Sequence, residues 1–258
     1  MRAEYARRYR ELWHGHWWWR ARAAWLLGWV DRLAGQDGRL SILDVGCGDG
    51  LFFDDLARFG AVDGLEPDGA LLGDDRWRGR ITVAPLDGRF RPEEPYDLIL
   101  MLDVIEHIED DAEALHAARE ALRPGGLLLL TVPALAWLWS RHDEANEHCR
   151  RYEPRGLRER LEGAGFVVES LRFFFAWTVV PLLLRRLLAP AGRGRGTADY
   201  DVAIPPTPIN RALEALSRLD LALGRVVPWP LGSSLIAVGR AGGISPRRTR
   251  RAQKSRRN

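Results

Sequence analysis

The chain has 258 residues, of which 46% are hydrophobic, 28% charged and 9% aromatic. That balance excludes wholesale disorder, collagen-like repeats and a multi-span membrane protein, and the length suffices to bury the core of one large domain. The formal charge of +3 is a sum of unlike parts: residues 246–258 hold seven basic side chains and no acid, so residues 1–245 carry 31 positive against 35 negative groups, or −4.

Residues 1–35 read as an aromatic, Arg-rich helical segment broken at Gly35 and Gly38. From Arg39 short β-like apolar runs alternate with helical ones: Ser41 to Val45, Ala61 to Leu65, Ile81 to Ala84, Asp97 to Met101 and Leu127 to Val132, with helical stretches at Leu51 to Phe59 and Asp111 to Leu122. Apolar strands with helical crossovers predict a parallel sheet in an α/β fold. Arg123-Pro124-Gly125-Gly126 stops a helix and turns the chain into the next strand. A helix near Pro154 to Gly163 leads into a strand from Phe166 to Leu171, and the last strand runs from Ser234 to Val238.

Roughly sixty residues separate those last two strands, far beyond the usual connection of about 4–6 residues. Phe173 to Ala189 is apolar except for Arg185-Arg186, Pro190 to Pro208 is a Gly/Pro-rich link, and from Ile209 the residues Leu213, Leu216, Leu219, Leu223 and Val226 recur at helical spacing. The apolar stretch is shorter than the ~20 residues that span a bilayer. It is expected to pack against the sheet and the 209–226 helix as a cover over whatever the strand ends bind; contact with a membrane interface through Arg185-Arg186 and the basic tail is the alternative.

The sharpest motif is Asp44-Val45-Gly46-Cys47-Gly48-Asp49-Gly50, which follows a strand and opens a helix. Glycines there let a ligand approach the backbone closely. The G-x-G-x-G spacing departs from the G-x-G-x-x-G of dinucleotide folds, and Asp44 suits a cationic ligand better than a phosphate. Gly64-Leu65-Glu66-Pro67 ends the second strand with a carboxylate placed to bind ribose hydroxyls. Asp87 follows the third strand, Leu102-Asp103-Val104-Ile105-Glu106-His107 the fourth, and Leu122 to Gly126 precedes the fifth.

This ordered set resembles the class I S-adenosylmethionine-dependent methyltransferases over about residues 39–175 and the terminal strand. The resemblance implies a doubly wound, Rossmann-like sheet of seven strands, order 3-2-1-4-5-7-6 with the last strand antiparallel. It implies S-adenosylmethionine as methyl donor and S-adenosylhomocysteine as product. Asp44 with Gly46, Cys47 and Gly48 would hold the methionine end, Glu66 beside Pro67 the ribose, and Asp87 with Leu86 the adenine. Leu102 and Asp103 would line the transfer site. The rival readings are an NAD(P)-dependent oxidoreductase, a metal-assisted RNA 2′-O-methyltransferase and a non-catalytic cofactor-binding or peripheral membrane scaffold.

Methyl transfer needs an aligned nucleophile and, for a hydroxyl, removal of its proton. Asp103, His107 and His148 are the catalytic candidates, since both the Asp103–His107 run and the His142–Tyr152 run follow central strands. Asp103, Glu106, His107 and His148 also resemble the metal set of small-RNA 2′-O-methyltransferases and of ubiquinone-pathway O-methyltransferases, although aspartate at the first position is one methylene short. The reading adopted is metal-independent, with His148, Arg151 and Tyr152 closing the substrate side. His16-Trp17-Trp18-Trp19-Arg20, with Trp13, Trp25 and Trp29, resembles a bacterial subset of the family associated with glycan or lipid-linked assembly.

The domain plan is therefore an N-terminal helical lid (1–38), a methyltransferase core (39–173 and 232–240), an insertion (174–231) and a basic tail (241–258). The expected acceptor is a small molecule, glycan or lipid-linked compound methylated at oxygen. Nucleic acid is not expected, because the body lacks a basic surplus and the positive charge sits in the tail. Arg150, Arg151, Arg155 and Arg158 are placed to meet an anionic group on the acceptor. Two cysteines are too few for a disulfide framework, and no apolar run follows a basic start, so a cytosolic location is expected, with peripheral membrane contact left open.

Overall fold

The computed structural model describes residues 3–35, 39–72, 76–188 and 203–242, with only the helical backbone at residues 3–7 and 185–188. The basic tail beyond 242, most of the Gly/Pro-rich link and the Arg185-Arg186 side chains lie outside the described residues.

Seven strands form one sheet: β1 (Leu40–Val45), β2 (Gly60–Leu65), β3 (Ile81–Thr82), β4 (Tyr96–Leu102), β5 (Leu122–Pro133), β6 (Phe166–Phe174) and β7 (Ser234–Ala241). Their order is 3-2-1-4-5-7-6, as expected. The first five pair in parallel, and β7 runs antiparallel to both β5 and β6. Two elements are shorter than the sequence suggests: the third strand pairs over two residues, and the helix after the glycine loop, α3, spans only Phe53–Leu56. The fifth strand is longer, because Arg123 to Gly126 continues it past a register shift, with Gly125 at φ 81°.

The central strands read as unbroken apolar runs because both faces of the sheet are covered. Leu43, Ile99, Met101, Leu128 and Leu130 face α4 (Asp111–Ala121) and α6 (Pro154–Gly163). Their neighbours Ile42, Leu98, Leu100 and Leu129 face α2 (Trp17–Ala34) and α3. Thus α2 departs from the strand-end position expected of a lid. Ala21, Trp25, Leu26 and Val30 recur at helical spacing and bury against the sheet face, making α2 a structural layer. The helix before it, α1 (Ala3–Gly15), brings Tyr9 and Trp13 toward the glycine loop: the Trp13 ring meets Phe52 edge-on at 5.5 Å.

The break between α1 and α2 is capped by His16, whose Nδ1 accepts from Trp18 N at 3.2 Å. Burial and the charge of Arg8 lower its pKa to about 4, so the ring stays a neutral acceptor. The three successive tryptophans part ways: Trp17 meets Trp177, Trp18 stacks on Phe175 at 5.6 Å, and Trp19 abuts Tyr9.

The insertion holds α7 (Val179–Leu188) and α8 (Thr207–Val226), after the short α5 (Arg141–Ala145) that follows β5. The apolar recurrence from Ile209 to Val226 does not bury as expected. Asn210, Glu214, Ser217, Asp220 and Leu221 face inward, and Ile209, Leu216, Leu219, Leu223 and Val226 face outward.

Phe53 is fully buried beneath the glycine loop and meets Trp77 edge-on at 5.6 Å. Replacing it with alanine should cost about 3–5 kcal/mol of stability, the usual loss for a buried aromatic ring. Urea denaturation measures this, and a loss below about 1 kcal/mol would show that the loop does not rest on this ring.

Candidate active site

The carboxyl ends of β1, β2, β4 and β5 carry the candidate residues to one edge of the sheet. Gly46, Gly48 and Gly50 all sit at positive φ (70°, 57° and 80°), a conformation that other residues adopt only at a cost. A Cβ on Gly46 would lie 2.9 Å from Val104, whereas at Gly48 the space is open. The loop is tied to β2 by Gly46 N donating to Leu65 O at 2.7 Å.

Glu66, 5% exposed, is fixed by two backbone donors. Gly48 N donates to Oε2 and Asp68 N to Oε1, both at 2.9 Å. Cys47 Sγ contacts Gly48 O, and burial pushes its thiol up, so it is not a nucleophile. Asp44 is buried at the end of β1, and burial raises its pKa to about 7, with Arg22 opposing and Glu66 adding to the rise. Pro67 is exposed, Leu86 is buried and Leu102 half-buried. Asp87 is half-buried and caps its own turn by accepting from Arg89 N at 2.8 Å.

Asp103 has a positive φ of 59°, and three bonds hold it there. Its N donates to Thr131 O at 3.0 Å, Thr131 Oγ1 donates to Oδ1 at 2.9 Å, and Arg22 of α2 meets Oδ2 at 2.7 Å. Arg22 is 4% exposed, also donates to Thr131 Oγ1 and lies over the Trp18 ring. Asp103 is therefore engaged in this network and is not among the groups that converge with the histidines, although its charge still acts on Glu106 and His107.

Glu106, His107 and His148 do converge: one ligand atom from each lies within 4.8 Å of the other two. Glu106 is fully buried, and neither of its carboxylate oxygens has a hydrogen-bond partner. Burial, with the charge of Asp103, raises its pKa well above the usual range. The His107 and His148 rings meet edge-on at 4.7 Å. His148 Nδ1 lies 2.9 Å from Asp143 Oδ1, which leaves Nε2 as the free ring nitrogen. Burial disfavours the charge on Asp143, but hydrogen bonds from His148, Arg151 and Ser140 outweigh it and hold the carboxyl well below its ordinary range.

The arginines expected to meet an acceptor anion are engaged elsewhere. Arg150 pairs with Asp111, Arg151 with Asp143, Arg155 with Glu159 and Arg158 with Glu162. Tyr152 is buried and donates to Asp111 and to Ile105 O, so it supports the loop from beneath instead of closing the substrate side. Sequence reasoning missed Arg22 and Thr131, and it placed Asp143 in the candidate run His142–Tyr152 without giving it a role. Arg22 is one of many arginines in an Arg-rich helix, and only Asp143, five residues before His148, carried a spacing that could have revealed it.

Sheet order and glycine loop together are those of the class I S-adenosylmethionine-dependent methyltransferase fold. The chain belongs to the methyltransferase domain family, whose profile matches residues 18–171. It is 31% identical over 128 residues to a ubiquinone biosynthesis O-methyltransferase of Paramagnetospirillum magneticum, covering 46% of this chain and 51% of that one. It is 34% identical over 152 residues to a protein of Mycolicibacterium smegmatis named as a probable S-adenosylmethionine-dependent methyltransferase, covering 54% and 55%. The matches span about half the length of these curated relatives. An S-adenosylmethionine-dependent methyltransferase from Archaeoglobus fulgidus shares the fold at a TM-score of 0.55 and 14% identity, covering 90% of this chain and 97% of that one. One from Mesorhizobium loti does so at 0.51 and 20%, covering 83% and 96%.

Asp44 titrates near 3.8 when unfolded and near 7 when folded, so the fold is unburdened at low pH and loses stability as pH rises from about 4 through 7. Asp44→Asn should therefore melt higher than the wild type at pH 8, with the gap narrowing toward pH 5, while binding S-adenosylhomocysteine more weakly. Thermal melts and calorimetry read the two effects. A variant that melts lower at pH 8 would contradict the buried-charge account.

Proposed function

We propose that this chain transfers the methyl group of S-adenosylmethionine to an oxygen of a small-molecule, glycan or lipid-linked acceptor. The observation that carries the reading is the Glu106–His107–His148 cluster, held at the same edge of the sheet as the glycine loop and Glu66. The donor fits the residues present. Glu66 is aimed by two backbone donors, Asp44 offers a buried carboxylate to the donor's ammonium, and the open space at Gly48 admits the methionine end.

The acceptor oxygen attacks the methyl carbon in line: the C–O bond forms, the C–S bond breaks, and the hydroxyl proton must leave. His148, with Nδ1 committed to Asp143, offers Nε2 as the base. Burial and the neighbouring His148 lower the pKa of His107, which favours a second neutral imidazole in the cluster. Oxygen is favoured as the target because curated relatives are named for O-methylation in ubiquinone biosynthesis. The net charge of −4 over residues 1–245 favours a small acceptor over nucleic acid.

A specific observation favours a divalent cation in this cluster: Glu106 is buried with both oxygens unpartnered, a costly state that a cation would relieve. In that second reading Nε2 of His148 is a ligand and not the base: Glu106, His107 and His148 would hold the ion, with Asp143 orienting His148 from behind. When bound, such an ion supplies Lewis-acid activation of an acceptor hydroxyl.

The test is transfer of labelled methyl from S-adenosylmethionine to a panel of phenols, catechols, glycans and prenylated phenols, with and without chelator. We expect turnover of a member of that panel, and His148→Ala should lower kcat at least about 100-fold, the scale of a lost general base, with S-adenosylhomocysteine affinity unchanged. Loss of activity on chelation, restored by manganese or magnesium, supports the cation. Methylation confined to RNA by residues 1–245 would contradict the proposed acceptor class.

A further inference from the structure

Helix α8 is amphipathic, yet it is mounted with its apolar face outward. Its inward polar residues are individually satisfied. Asn210 accepts from Trp17 N and donates to Gly15 O, Glu214 pairs with Arg20 and Arg218, Ser217 accepts from Trp177 Nε1, and Asp220 accepts from Ala176 N. Rolling the helix to bury its leucines would strip these bonds and leave buried polar groups of α2 and the β6–α7 turn without partners, so the orientation is fixed by the fold.

The outward stripe consists of Ile209, Leu216, Leu219, Leu223 and Val226, which are 42–82% exposed. Of the thirteen exposed large apolar side chains among the described residues, eight fall between Ile204 and Leu231, so the patch is concentrated on this one segment. The acids of α8 are buried, and the charged side chains on its exposed surface are Arg211 and Arg218.

We infer that α8 is a docking surface for an anionic lipid bilayer, lying in the interface plane. At ~1.5 Å per residue the helix is long enough to present the stripe along one line, and an apolar face framed by arginines matches the chemistry of acyl chains beneath anionic headgroups. Residues 189–202 and 243–258, which lie outside the described residues, contain only three large apolar residues, Tyr200, Val202 and Ile244, too few to cover the stripe themselves. A second copy of the chain is the weaker occupant. Stripe residues at heptad spacing would place Leu213, Ala215 and Ala222, with the buried Asp220, at the flanking positions, where a specific coiled coil carries complementary charges. No helix among the described residues is long and apolar enough to cross a membrane, so the contact is peripheral.

The full chain is tested by co-sedimentation with vesicles of phosphatidylcholine containing half phosphatidylglycerol, beside vesicles of phosphatidylcholine alone. The expected result is at least tenfold stronger partitioning to the anionic vesicles, and a tenfold or greater loss in the double variant Leu216→Glu with Leu223→Glu. These positions are exposed, so circular dichroism and S-adenosylhomocysteine affinity should be unchanged. If the double variant misfolds, Arg211→Glu with Ile209→Ser reads the same surface and should also lose at least threefold. Absence of wild-type binding, or binding that survives in folded variants and so belongs to the tail, would overturn the inference. So would a lipid-free dimer in sedimentation velocity that these variants disperse.

Discussion

The structure turns on a surplus of carboxylates at the carboxyl edge of the sheet. Asp44, Glu66, Glu106 and Asp143 are buried there, and Asp103 stands beside them. Negative charge in a low-dielectric crevice is expensive unless it is paired. The protein meets this need unevenly. Asp143 is fully served by Arg151, His148 and Ser140, and Asp103 by Arg22 and Thr131. Glu66 has backbone donors, but Asp44 and Glu106 are carried up in pKa by burial. In the proposed function, a methyl donor that brings an ammonium and a sulfonium would supply the missing positive charge, and so would a divalent cation at Glu106.

Arg22 links this edge to the rest of the fold. It projects from α2, a helix held on the sheet face by Ala21, Trp25, Leu26 and Val30, and reaches the ends of both β4 and β5. Its positive charge opposes the rise that burial imposes on Asp44, Glu106 and Tyr9, so one side chain acts on several acidic groups of this edge at once. The joint between α1 and α2 is in turn pinned by Asn210 of α8. The insertion thereby supports the crevice through polar contacts on its inner face and leaves its apolar face outward.

Strands and glycine loop were legible in the sequence because they are local, whereas the sheet order came only with the resemblance that their motifs carry. Unbroken apolar runs mark strands buried on both faces, and Asp44 to Gly50 is a contiguous motif whose backbone conformations only glycine adopts easily. The convergence of His107 with His148 was suggested by their places after neighbouring strands, but the isolation of Glu106 was not, since an orphaned carboxylate is defined by what surrounds it. The orientation of α8 ran against its hydrophobic spacing because Asn210, Glu214, Ser217 and Asp220 each find a partner inside. Of the arginines expected to meet a ligand anion, Arg155 and Arg158 pair with Glu159 and Glu162 one helical turn on, a spacing the sequence already carries, whereas the buried Asp111 and Asp143 that engage Arg150 and Arg151 are brought near by the fold.

The central claim is that the edge built from Asp44, the glycine loop and Glu66 holds the methyl donor. Calorimetric titration with S-adenosylhomocysteine, on wild type and Glu66→Ala, tests it most directly. The account predicts that the wild type binds S-adenosylhomocysteine in preference to NAD and that the variant loses at least about tenfold in affinity, the modest end for a lost pair of charge-assisted hydrogen bonds. Equal affinity in wild type and variant, or a preference for NAD, would contradict it.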